Sequence, residues 1–150
     1  MFAFALLLIS GKPLAFATGS GHMTTVHVEV DLYSGRPNPA WDLSAADAER
    51  FLERLGALTP MRPESGGAPA FFEGLGYRGL KVHLHSEGDF KQIVIAEGIV
   101  GVQTSEAAGR QLWKDSNREL EKWLLGTGKP YLDADLFSYL LRQVAQSPPS

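Results

Sequence analysis

His83 and His85 stand two residues apart, and so do His27, Glu29 and Asp31. On a β-strand that spacing puts side chains on one face, because their direction repeats every two residues. If the two segments are neighbours in a sheet, three imidazoles and a carboxylate converge, a donor set that suits zinc or another borderline metal. The candidate ligands or general bases are therefore His27, Glu29, His83 and His85, with zinc as the candidate cofactor. Histidines on the wetted face of an antiparallel sheet are also ordinary, so strand order decides what this pattern means.

A second candidate is the loop Ser34-Gly35-Arg36-Pro37-Asn38-Pro39-Ala40-Trp41. Its two prolines fix φ near −65° and push Arg36 and Asn38 into extended geometry. Gly35 can supply a positive φ, and Asn38 tolerates unusual turns. A guanidinium on so stiff a connection is pre-organised to grip a carboxylate or phosphate. Arg36, Asn38 and Trp41 are thus the candidate partner-binding residues, for a protein or a small anionic ligand. Trp41 can instead staple onto the helix that follows, and its large apolar area favours that inward role. If Arg36 and Asn38 serve a partner, alanine at either should leave stability nearly unchanged. If the loop is a structural corner, such a substitution should unfold the protein.

Other pattern matches lead nowhere. Gly74-Leu75-Gly76-Tyr77-Arg78-Gly79 spells G-x-G-x-x-G, but it follows a loop and precedes a strand. A dinucleotide site needs those glycines to open a helix whose N-terminus meets pyrophosphate. Gly126-Thr127-Gly128-Lys129-Pro130 lacks the first glycine of a phosphate loop, and proline replaces the magnesium-binding hydroxyl residue. No metalloprotease, nucleophile-elbow or S-x-x-K pattern is present.

The elements that must carry these residues are readable from periodicity. In residues 25–33, Val26, Val28, Val30 and Leu32 alternate with His27, Glu29, Asp31 and Tyr33, the pattern of a half-buried strand. Ser44 caps a helix whose apolar stripe is Ala48, Phe51, Leu52 and Leu55, with Gly56 as its stop. Residues 59–76 hold three prolines and four glycines and read as an irregular crossing. Leu80, Val82 and Leu84 define a second strand, and Ser86-Glu87-Gly88-Asp89 turns it into a third over residues 90–96. Residues 99–102 form a fourth strand or continue the third past a bulge at Gly98. Asp115 or Ser116 caps the next helix, and a final helix buries Leu136, Phe137, Leu140, Leu141 and Val144.

Composition limits the rest. The chain has 150 residues, a net charge of −3 and no cysteine, which excludes disulfides and thiolate chemistry. Its 14 Lys and Arg are scattered, with never more than two in five consecutive positions, so no basic stripe points to nucleic acid. Residues 2–9 are apolar but too short to span a bilayer, so no stable membrane insertion is expected. Residues 1–23 read as a leader outside the fold. Ala15-Phe16-Ala17 resembles a signal-peptidase site, whereas Gly19-Ser20-Gly21-His22-Met23 resembles an expression-tag scar. A tag implies a cytoplasmic protein and a signal peptide an exported one. A third option is an apolar hairpin pairing residues 2–9 with 14–18.

The expected architecture is α+β, one domain over residues 24–146 with a frayed tail at 147–150. An antiparallel sheet of three to five strands carries about three helices on one face. A free sheet edge would make dimer formation by strand pairing plausible. Two functions fit. One is a small non-catalytic binding or interaction protein of the accessory, inhibitor or immunity type. The alternative is a metal-dependent hydrolase-like enzyme using the histidines of the polar sheet face.

Overall fold

Alternating apolar residues sort the strands into one antiparallel sheet with a dry face and a polar face. The computed structural model describes residues 24–61, 76–103 and 111–146. Residues 1–23, read above as a leader, most of the irregular crossing and residues 147–150 lie outside the described residues. Among the described residues there are seven strands: β1 (Thr25–Asp31), β2 (Ala40–Asp42), β3 (Thr59–Pro60), β4 (Gly79–Ser86), β5 (Asp89–Ala96), β6 (Ile99–Gln103) and β7 (Gln111–Lys114). Their spatial order is β2-β1-β4-β5-β6-β7-β3. The helices are α1 (Ala45–Gly56), α2 (Glu119–Thr127) and α3 (Ala134–Ala145).

The α+β class with one antiparallel sheet and three helices is as expected, but the sheet is wider than three to five strands. The three additional strands, β2, β3 and β7, are only 3, 2 and 4 residues long. That is too short for alternation to register. β6 is a separate strand, because Glu97 (φ 53°) and Gly98 (φ 80°) form a two-residue reversal instead of a bulge. Both sheet edges end on these short strands, and β3 carries Pro60. Short edges with proline present little backbone for another chain to pair with.

Register lines up the core. Val30 pairs with Leu80, Leu80 with Ile95, Ile95 with Val100 and Val100 with Trp113, giving one apolar row across five strands. A parallel row runs Trp41–Val28–Val82–Ile93–Val102. These side chains form a single buried cluster with Phe51 and Leu55 of α1, Leu120, Leu124 and Leu125 of α2, and Leu140 and Val144 of α3. Burial of that apolar area is what holds helices to sheet.

The helix ends follow local chemistry with one departure. Ser44 Oγ accepts from Asp47 N at 3.1 Å, the expected cap of α1. The start of α2 is held by Asp115, whose two carboxylate oxygens accept from Leu120 N at 2.9 Å and Glu121 N at 3.1 Å. Ser116 opens a single 3-10 turn instead of a capping box, and Asn117 and Arg118 follow with φ of 56° and 55°. Leu141, expected in the core, is 39 % exposed on α3. Among the described residues no helix is long and apolar enough to cross a membrane.

Candidate functional site

The two histidine-bearing strands are neighbours: β1 and β4 pair antiparallel with His27 directly opposite His83. On the polar face this yields the row Asp42–His27–His83–Gln92. The imidazoles of His27 and His83 lie 6.0 Å apart between ring centres. Each already has a carboxylate partner. His27 Nδ1 is 2.7 Å from Asp42 Oδ1, and His83 Nε2 is 3.5 Å from Glu29 Oε2. His85 lies one pair further along, tilted against the exposed ring of Phe90 at 5.0 Å, and His83 stacks on that ring at 5.8 Å. The strands therefore meet as the metal reading requires, while the side chains divide into separate pairs. Among the described residues no group of three or more His, Asp or Glu side chains is arranged to hold a metal ion.

Below the histidines the face is closed by charge pairing. Asp31, 2 % exposed, accepts from Arg78 Nη2 at 2.7 Å and lies 3.5 Å from Lys81 Nζ. A buried carboxylate with two cationic neighbours holds the end of β1 against the start of β4.

The proline loop leaves β1 immediately after Asp31 and returns as β2. Asn38 makes the turn possible. Its Oδ1 accepts from Leu32 N at 3.1 Å and Tyr33 N at 2.8 Å, and its Nδ2 donates to Glu29 Oε1 at 2.8 Å. Val30 N also donates to Pro39 O at 2.8 Å. Asn38 is thus bound up inside the loop, satisfying amides that the reversal removes from the sheet ladder. Trp41 points inward and is 3 % exposed, with Nε1 donating to Thr127 Oγ1 at 3.0 Å. It meets the end of α2 and shares the core cluster with Ala48, Phe51 and Leu55 of α1. A Cβ at Gly128 would come within 2.5 Å of its ring, so glycine there makes room for the indole.

Arg36 is different. Gly35 adopts φ 88°, which reverses the chain, and the exposed Arg36 guanidinium lies 3.5 Å over the ring of Tyr33. A cation–π contact restricts the side chain without consuming its hydrogen-bond donors. Of the three loop candidates, Arg36 alone therefore presents its functional group at the surface.

A buried ionic cluster escaped the sequence reading. Glu121, fully buried in α2, receives Arg118 Nε at 2.8 Å and Nη2 at 2.9 Å, together with the hydroxyl of Tyr77. Arg118 Nη1 also donates to the carbonyls of Gln143 and Gln146 at the end of α3, at 3.2 and 3.3 Å. Burial works against the Arg118 charge, but the hydrogen bond and charge of Glu121 outweigh it and raise its affinity for the proton. The one sequence signal was the Arg–Glu spacing of three residues across a helix start.

Burial holds the Tyr77 hydroxyl well above its ordinary 10.0, and the charge and hydrogen bond of Glu121 add to this against the opposing charge of Arg118. The folded state then keeps a proton that the unfolded chain releases. This contribution to stability is complete below pH 10.0 and is lost as pH climbs above it. In urea titrations the wild type should weaken above that pH, and Tyr77→Phe should show a flatter alkaline limb. Identical alkaline limbs would contradict the assignment.

Compared with known proteins, this chain matches no family model, no curated protein and no solved structure.

Proposed function

We propose that the protein is a small non-catalytic binding protein whose contact surface is the proline loop, with Arg36 gripping an anionic group of a partner protein. The observation that carries this reading is the contrast inside the loop. Asn38 and Trp41 are committed to building it, and Arg36 is held at its surface with no hydrogen bond from its guanidinium among the described residues. A planar guanidinium on a fixed base matches a carboxylate or phosphate with two parallel hydrogen bonds.

The reading separates two substitutions that the sequence treats alike. Arg36→Ala should change stability by less than about 1 kcal/mol, the scale of an exposed cation–π contact. Asn38→Ala should cost about 2 kcal/mol, because it strands the amides of Leu32 and Tyr33. Chemical denaturation measures both. Partner capture should fail with Arg36→Ala while the fold persists; equal capture by wild type and Arg36→Ala would refute the role of Arg36.

The competing reading, a metal-assisted hydrolase on the polar face, draws on the facing imidazoles of His27 and His83 beside Glu29. To bind metal those groups would have to exchange the Asp42 and Glu29 contacts for a common centre. Calorimetric titration with zinc is therefore expected to give no saturable heat. Saturable binding abolished by His83→Ala would favour the enzyme instead.

A further inference from the structure

A cavity of about 450 Å³ opens between the Glu97–Gly98 turn, the end of β7, the start of α2 and the end of α3. Its volume falls within the range of small-molecule sites, which typically join an apolar lining to a few polar groups. Met61, Ile99 and Val144 supply apolar surface here. Among the described residues, the charged lining residues are Glu97, Lys114, Asp115, Arg118 and Lys122. Asp115 is spent on the amides that start α2, and Arg118 on buried Glu121. That leaves Lys114 and Lys122 as the cationic lining side chains not committed among the described residues, while the charge of Glu97 acts on Arg118. Both lysines are exposed, and neither side chain makes an ion pair or hydrogen bond among the described residues.

We propose that this cavity binds a small organic carboxylate, its apolar body against Met61, Ile99 and Val144 and its head group between Lys114 and Lys122. The committed Asp115 and Arg118 fix the frame, so the lysines are the groups left to answer a ligand's charge. The acidic side chain of Glu97 disfavours a second negative group and limits the ligand to a monoanion. This site is separate from the Arg36 loop and stands or falls independently of it.

The test is calorimetry with octanoate and with octylammonium, which share a tail and differ in head-group charge. Octanoate should bind saturably at one site, and octylammonium at least about tenfold more weakly. A Lys114→Gln, Lys122→Gln double variant should lose about tenfold in octanoate affinity while keeping its thermal midpoint. Ala145→Trp, at an exposed lining position, should block octanoate by filling the cavity. If the double variant loses its fold, amide shift mapping of octanoate on the wild type decides instead, with shifts expected at Ile99, Lys114 and Lys122. Absent saturable heat, equal binding of both probes, or shifts elsewhere would overturn the assignment.

Discussion

Replacing Glu121 with alanine is expected to cost about 3–5 kcal/mol of folding stability, the penalty for removing one partner of a buried ion pair. The carboxylate is fully buried, and the Arg118 side chain paired with it is only 11 % exposed. Alanine strands that guanidinium and the Tyr77 hydroxyl together, because both donate to Glu121. Glu121→Gln should cost less, since its amide oxygen can still accept one of these bonds. The ion pair also ties α2 to the end of α3 through the second face of Arg118. The loss should therefore appear in urea unfolding as a lower midpoint with an unchanged slope. A change below about 1 kcal/mol for Glu121→Ala would mean that the cluster contributes little.

The second large effect is expected at the join between the proline loop and α2. Trp41→Ala should cost about 3–5 kcal/mol, the range for removing a large buried aromatic side chain. The indole lies in the apolar row of β2, β1 and β4, and its N–H reaches Thr127. Gly128→Ala should also destabilise, because a new Cβ would press within 2.5 Å of the Trp41 ring. Combining the two substitutions should cost less than their sum, since removing the ring relieves the clash. Additive losses would show that Gly128 is not shaped by Trp41. These effects define the loop as a corner built from the core outward.

Legibility in the sequence followed element length. β1, β4 and β5 carry long alternating runs, so their faces and the shared face of His27, Glu29, His83 and His85 were readable. β2, β3 and β7 contain too few residues for periodicity, and β3 includes proline. Asp115 caps α2 from five residues before Leu120, outside the spacing of a capping box. The Tyr77–Glu121 contact spans 44 positions and joins an irregular segment to a helix, so no local rule announces it. Asn38 was recognised as a turn residue, but the two amides it receives become visible only once the backbone reverses around it. Arg36 was legible because stiffness and charge are local properties, whereas its stacking on Tyr33 belongs to the folded loop.

Site-specific photo-cross-linking tests the proposed docking of a partner at the loop crest most directly. A photoreactive residue at exposed Ser34 reports on the crest, and one at exposed Arg142 on α3 serves as the control. In lysate of the source organism, Ser34 should yield one discrete protein adduct and Arg142 none. Arg36→Ala should remove that adduct while leaving the thermal midpoint in place. An adduct that persists undiminished in folded Arg36→Ala, or one that forms at Arg142 but not at Ser34, would contradict the account.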